Sequence, residues 1–203
     1  MKIKKLGLVD YDLVLSDMQK NIQHGIDYNQ LWILQHNQVF TVGVNKKNLV
    51  LPNTSIPIIF SDRGGKITYH GPGQVIIYTL IKLKDIDLSI SKFVRMLENS
   101  VIQFLDELNI IAHRIIDAPG VYIDGSKIAS VGLKVKNSQI YHGLSFNNNM
   151  DLRPFDLIDT CGYKNLKVTQ LIDHGIDLDN NVVADKIIII FLKNLKEHET
   201  ARN

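Results

Sequence analysis

Apolar positions recur along this chain with two periods. Lys2 to Val9 reads as a first strand. Asp10 can cap a helix from about Tyr11 to His24, with Leu15, Met18 and Ile22 on one face. Leu31 to Leu34 and Val39 to Gly43 read as two short strands, and Lys46-Lys47-Asn48 as an exposed turn. Ile56 to Phe60 has strand composition, and Pro57 places it at a sheet edge. Gln74 to Leu83 is a longer strand. The clearest helix follows, capped by Ser89 or Ser91, with Phe93, Leu97, Val101, Leu105 and Leu108 at three- and four-residue steps. Ala112 to Ile116 and Gly120 to Ile123 are short strands, and Asp124-Gly125 is a strong hairpin turn. Lys127 to Val135 and Gln139 to Phe146 form a second hairpin, Asn147 to Tyr163 is irregular, and Val168 to Asp173 suits a helical turn. A last amphipathic helix spans about Val182 to His198, although its isoleucine run also suits a strand. These elements predict a mixed α/β domain with many short strands under a few covering helices.

Composition changes this picture little. The 203 residues fit one domain, 1–203, with a small C-terminal subdomain from about Leu166 as the alternative. The apolar share of 45% is enough for an ordinary core. A net charge of +2, with Lys and Arg dispersed, gives no basis for nucleic-acid binding, though it can help steer an acidic partner. The longest apolar run, Ile187 to Leu192, falls far short of the roughly 18 residues of a membrane span. Met1 to Leu6 has no apolar run behind its basic start, so a cytoplasmic location is expected.

The densest chemistry lies between Arg63 and Gln74, where four glycines and a proline fall within twelve residues. Bare backbone lets a ligand approach closely. Arg63, Thr68, Tyr69, His70 and Gln74 set polar tips beside it, so the stretch reads as a ligand-binding loop on a sheet rim. It is not a phosphate loop, and Ile76 stands where a dinucleotide fingerprint needs its third glycine. Gly143-Leu144-Ser145-Phe146-Asn147 lacks the second glycine of a serine nucleophile elbow. The scattered histidines give no metal motif.

Cys161 is the only cysteine, which excludes an internal disulfide and a cysteine zinc cluster. Most lone cysteines are buried small hydrophobes. Asp159-Thr160-Cys161-Gly162-Tyr163 is instead a polar setting suited to an exposed thiolate. A thiolate needs a nearby cation or proton acceptor, and Lys127, Lys134, His70 and His142 are the candidates. Lys127 leads into the small residues Ala129, Ser130 and Gly132, which leave room for a ligand, and His142 stands beside Gly143.

The stretch Arg63-Gly64-Gly65 through Thr68-Tyr69-His70-Gly71-Pro72-Gly73-Gln74 resembles the signature of the lipoyl(octanoyl) transferases. The resemblance continues in Gly125-x-Lys127-Ile128-Ala129 with Gly132-Leu133, in His142-Gly143-Leu144, in Asn147 with Asp151, and in Thr160-Cys161-Gly162. It runs from about Leu31 to Tyr163, five blocks in one order. Upstream, Leu34-Gln35-His36-Asn37 only approximates the family's Glu-His-Pro, a departure outside the catalytic blocks.

The resemblance implies a biotin/lipoate protein ligase-like fold, a central mixed sheet with helices on one side. It implies transfer of an octanoyl group from octanoyl-acyl carrier protein to a lysine of lipoyl domains. Those acceptors are the E2 subunits of 2-oxoacid dehydrogenases and the glycine cleavage H protein. By the match, Cys161 carries the acyl thioester and Lys127 lowers its pKa. Arg63, Gly64, Gly65, Lys66, Ile67, Thr68, Tyr69 and His70, then Ser130, Val131 and Gly132, then Gly143, Leu144 and Ser145, are the implied substrate-binding stretches, with Gln74 and His142 as further pocket candidates. Thioester exchange followed by amide formation needs no cofactor and no ATP. The alternative is an ATP-dependent lipoate or biotin protein ligase, which does not require a cysteine nucleophile.

Overall fold

The computed structural model describes residues 1–116, 118–159 and 166–200. Its strands are β1 (Lys2–Val9), β2 (Gln30–His36), β3 (Val39–Val42), β4 (Ile58–Phe60), β5 (Ile67–His70), β6 (Gln74–Lys82), β7 (His113–Ile115), β8 (Ala118–Ile123), β9 (Ser126–Lys136) and β10 (Gln139–Asn147). The helices are α1 (Tyr11–His24), the short α2 (Leu83–Ile86), α3 (Ile90–Glu107) and α4 (Asn180–Thr200).

Seven strands form one mixed sheet in the order β1-β2-β6-β10-β9-β8-β7. β1 and β2 run parallel in it, and the other neighbouring strands pair antiparallel. A second sheet holds β4-β3-β5.

The period-2 pattern of the central strands assigns their faces. On β6, Val75, Ile77 and Ile81 join the core with α3 and α4, while Ile76, Tyr78 and Leu80 join the core with α1. Leu31 and Ile33 against Trp32 and Leu34 divide β2 the same way. The helices therefore cover both faces of the sheet, not one. A strand buried on two sides must be apolar on both, which is why β2 and β6 read as continuous hydrophobic runs.

Most expected elements form. Ser89 caps α3 by accepting from the Lys92 N–H at 3.3 Å. Asp124 and Gly125 turn β8 into β9 with φ of 47° and 76°, the primed geometry that their sequence favours. The isoleucine run belongs to α4, where Ile187, Ile188 and Phe191 are buried and Phe191 meets the Phe93 ring edge-on at 5.8 Å. No helix among the described residues is long and apolar enough to cross a membrane.

Four details differ from the expectation. Asp10 occupies the cap position of α1, but its carboxylate takes a hydrogen bond from Asn37 Nδ2 at 2.6 Å instead of capping the helix. The strand expected from Ile56 begins at Ile58, after Pro57. The glycine-rich stretch is not all loop: Ile67–His70 is β5, paired antiparallel with β3. The expected turn at 168–173 divides into a bridge of Val168 with Lys127 and a 3-10 helix over Leu171–His174.

Phe104 is fully buried at the centre of the larger core, its ring edge-on to Phe146 at 5.7 Å. Phe104→Ala should lower the unfolding free energy by about 3–5 kcal/mol in urea titration. A loss below about 1 kcal/mol would place this ring outside the cooperative core.

Candidate active site

A cavity of about 370 Å³ opens between the small sheet, the β9–β10 hairpin and the start of α3. Residues 63–68, 130–133 and 142–145, together with His70 and Lys127, line it. Three stretches distant in sequence therefore converge on one cavity, as the candidate residues require. Ile76, Val131, Leu133, Leu144, Ile90 and Val94 give it an apolar wall. Tyr69 and Gln74 stand apart from that lining. Tyr69 packs with Phe40 and Phe155 in the core of the small sheet, at ring distances of 5.5 and 5.4 Å. Gln74 lies behind His70. Cys161 lies outside the described residues.

Backbone contact sets the cavity's shape. The Gly64 N–H donates to Leu133 O at 2.9 Å, laying the glycine stretch directly on β9. A Cβ on Gly64 would stand 3.1 Å from that carbonyl, and one on Gly132 would stand 3.1 Å from Gly64 O. Both sites favour glycine because two backbones meet there.

Lys127 is 2% exposed and sits at the start of β9. Its Nζ donates to Pro119 O at 2.7 Å and lies 5.4 Å from the centre of the Tyr122 ring, two partners suited to an ammonium. Gly120 makes room for it, since a Cβ there would come within 2.4 Å of Lys127 Cε. The Lys127 backbone also holds the chain that follows residues 160–165. Its N–H donates to Lys167 O at 2.8 Å, and its carbonyl accepts from the Thr169 N–H at 2.9 Å.

Behind the cavity runs a chain of buried hydrogen bonds. Arg63 donates to Thr41 Oγ1 from Nε at 3.1 Å and from Nη2 at 2.8 Å, and to Thr41 O from Nη2 at 2.6 Å. With its lone pairs so taken, the Thr41 hydroxyl donates to His70 Nε2 at 3.3 Å. His70 Nδ1–H donates to Gln74 Oε1 at 2.7 Å. Gln74 Nε2 donates to Asn147 Oδ1 at 2.9 Å, and Asn147 Nδ2 donates to Thr169 O at 2.9 Å. One consistent direction of donation fixes His70 as the neutral Nδ1–H tautomer. Burial, with the charges of His36 and Arg63 nearby, holds its pKa down at about 3.

His36 is the second buried imidazole, 5.8 Å from His70 between ring centres. Its Nδ1–H donates to Val9 O at 2.9 Å, and its Nε2 accepts from Tyr78 OH at 2.8 Å. Burial lowers its pKa to about 4 despite the opposing bond to Val9. The third is His142, 1% exposed, whose ring stacks on Tyr141 at 4.8 Å. Its φ of 62° is a left-handed backbone in mid-strand, a strain of about 1–3 kcal/mol. That turn takes its side chain out of the strand's alternation and beside Tyr141. His142 Nε2 meets Asp62 Oδ1 at 2.8 Å, and Tyr141 OH donates to Asp62 Oδ2. Burial alone would raise the Asp62 pKa, but the bonds from His142 and Tyr141 overcome it and hold the carboxyl well below the usual range. Burial outweighs the Asp62 bond at His142, whose pKa is lowered.

Thr41, Asp62, His36 and Tyr78 were not among the expected site residues. Asp62 could have been suspected from its place before Arg63-Gly64-Gly65, and His36 from the block that only approximates the family pattern. Nothing local in the sequence singles out Thr41 or Tyr78. Among the described residues, no group of three or more His, Cys, Asp or Glu side chains is placed to hold a metal ion.

His36 and His70 are neutral when folded and titrate near 6.5 when unfolded, so the unfolded chain binds more protons between those values and about 4 and 3. Their contribution to stability is complete above pH 6.5 and is lost as pH falls toward the folded values. Urea titrations should show stability falling from pH 6.5 to pH 5, and His36→Gln should remove about 1.5 kcal/mol of that fall. A flat profile over that window would contradict neutral burial of these rings.

Residues 15–192 match the family model of the lipoyl protein ligase A/B catalytic domain. The octanoyltransferase of Vesicomyosocius okutanii subsp. Calyptogena okutanii (strain HA) is 49% identical over 197 residues, covering 95% of this chain and 96% of that protein. The octanoyltransferase of Chromobacterium violaceum is 44% identical, covering 92% of this chain and 91% of that protein. Among solved structures, lipoate-protein ligase A bound with ATP superposes with a TM-score of 0.74 at 15% identity, over 96% of this chain and 85% of that one. The biotin protein ligase of Aquifex aeolicus gives 0.63 at 16% identity, over 97% of this chain and 69% of that one. The structural likeness gives the expected biotin/lipoate protein ligase-like fold, and the sequence likeness is to acyltransferases. The chain belongs to the lipoyl protein ligase A/B catalytic-domain family, in its octanoyltransferase branch.

Proposed function

We propose that the chain, acting as one catalytic domain, transfers an octanoyl group from octanoyl-acyl carrier protein to a lysine of a lipoyl domain through an acyl thioester on Cys161. The observation that carries this reading is the convergence of residues 63–68, 130–133 and 142–145 with Lys127 on one largely apolar cavity. Each methylene of a linear acyl chain buried there contributes about 0.8 kcal/mol, which holds the chain without any charged contact. The acceptors are the lipoyl domains of 2-oxoacid dehydrogenase E2 subunits and the glycine cleavage H protein. One structural neighbour is described as a bi-partite lipoate protein ligase with its E2 lipoyl domain.

In the first half-reaction the Cys161 thiolate attacks the donor thioester and the carrier thiol leaves. In the second, the acceptor amine attacks the acyl-cysteine, and the product is an amide. Lys127 supplies positive charge to the thiolate. Its backbone bonds to residues 167–169 support this, because they tie it to the chain just beyond Cys161. The apolar wall holds the acyl chain, and the glycine backbone of residues 64 and 65 borders the thioester.

Intact-mass analysis after mixing with octanoyl-acyl carrier protein should show one octanoyl adduct on Cys161, removable by hydroxylamine. Active enzyme without that adduct, or with the acyl group elsewhere, would sink the reading. Lys127→Met should raise the thiol pKa toward the roughly 8.5 of free cysteine and slow acylation about 100-fold. Unchanged pH-dependent iodoacetamide labelling and unchanged acylation in that variant would remove Lys127 from the chemistry.

A further inference from the structure

Glu98 is a carboxylate set into the apolar stripe of α3. Phe93, Leu97, Val101, Phe104 and Leu105 are buried on the same helix, and Glu98 is itself 4% exposed. Neither helix spacing nor capping calls for an acid there. An ionised group so placed costs free energy unless it is hydrogen-bonded and balanced by charge. Burial raises the Glu98 pKa, while the bond from the Gly120 N–H and the charges of Arg114, Lys127 and Arg95 oppose that shift.

What Glu98 holds is one peptide unit. Its Oε1 accepts from the Gly120 N–H at 2.7 Å. The carbonyl of that same unit, Pro119 O, accepts from Lys127 Nζ at 2.7 Å. The N–H and C=O of a trans peptide point in opposite directions, so Glu98 meets one edge of the unit and Lys127 the other. A carboxylate on the N–H edge polarises the peptide and makes its oxygen a stronger acceptor for an ammonium. Gly120 makes this approach possible. Its φ of 136° favours glycine, and a Cβ there would stand 2.4 Å from Lys127 Cε and 3.0 Å from Nζ.

The arrangement joins α3, β8 and β9, and every group in it is among the described residues. Lys127, Pro119 and Val94, one turn before Glu98 on α3, line the cavity. Glu98 stands behind that lining and reaches it through the peptide.

We propose that Glu98 is a positioning residue for the transfer reaction: its charge, acting through the Pro119–Gly120 peptide, holds the Lys127 ammonium in place beside the cavity. The proposal rests on the role given to Lys127 above and adds the group that keeps it there. A structural role alone would need only the hydrogen bond to Gly120. A positioning role needs the negative charge, because charge is what strengthens Pro119 O as an acceptor and offsets the burial of a cation.

Glu98→Gln separates the two, since a glutamine Oε1 still accepts from the Gly120 N–H while the charge is gone. Single-turnover transfer from octanoyl-acyl carrier protein to a lipoyl domain is measured for wild type, Glu98→Gln, Lys127→Met and the double variant, at about pH 8, well above the carboxylate range. Glu98→Gln should slow transfer about tenfold by itself and less than about twofold in the Lys127→Met background. The second readout is the Lys127 ε-methylene signal in a proton–carbon NMR spectrum of protein carrying isotope-labelled lysine, assigned by its absence in Lys127→Met. The Tyr122 ring, with its centre 5.4 Å from Nζ, displaces that signal in the wild type. In Glu98→Gln it should move toward the signals of exposed lysines. Transfer by Glu98→Gln within about twofold of wild type, equal loss in both backgrounds, or an unmoved ε-methylene signal would each overturn the assignment. Wild-type transfer by Lys127→Met alone would remove the role of Lys127 and this proposal with it, a failure that shows before Glu98 is changed.

Discussion

The hydrogen-bond chain from Arg63 through Thr41, His70, Gln74 and Asn147 to Thr169 O is the constraint on which the rest of the site depends. It begins at the segment that roofs the cavity, crosses the small sheet, reaches the end of β10 in the large sheet, and ends on the chain that follows residues 160–165. Each of its side chains is buried, with Thr41 fully so and Arg63 9% exposed. Burying so many polar groups is favourable only when every donor finds an acceptor, because an unmet one costs about 1–3 kcal/mol. The chain therefore acts as a unit. Removing the His70 ring, for example, leaves the Thr41 hydroxyl and Gln74 Oε1 without these partners.

That rigidity has a chemical consequence. The cavity is bounded by backbone laid on backbone at Gly64 and Leu133, and the Thr169 end of the chain is hydrogen-bonded to Lys127 itself. The lysine, the glycine stretch and the segment beyond Cys161 are thus positioned by one connected set of bonds rather than by separate loops. Preorganisation of this kind suits an acyl transfer, which depends on placing a nucleophile against a carbonyl carbon. Burial lowers the pKa of each imidazole set into this frame, and Arg63, Lys66 and Lys127 are the lysine and arginine side chains lining the cavity among the described residues.

Much of this was legible in the residues. Period-2 and helical spacings placed the strands and both long helices, and the primed turn at Asp124-Gly125 fixed the register of β9. The glycine stretch announced a site because bare backbone flanked by polar tips has few other uses. Its division was not legible: Ile67–His70 forms a strand because β3 supplies a partner, and pairing across the chain leaves no local mark. Tyr69 was expected at the ligand and instead fills the small core, since alternation along β5 sends it away from Thr68 and His70. Thr41 and Tyr78 carry no local signal of function, and Asp62 and His36 carry only their places beside or within matching blocks. Their roles arise from contacts 22 to 80 residues distant in sequence.

The most direct test of the neutral, tautomer-locked site is a long-range proton–nitrogen NMR spectrum of the histidine rings at pH 7, assigned through single variants. The account predicts His36 and His70 as Nδ1–H tautomers and His142 as the Nε2–H tautomer, all three uncharged. An imidazolium at any of the three, or a proton on His142 Nδ1, would contradict it.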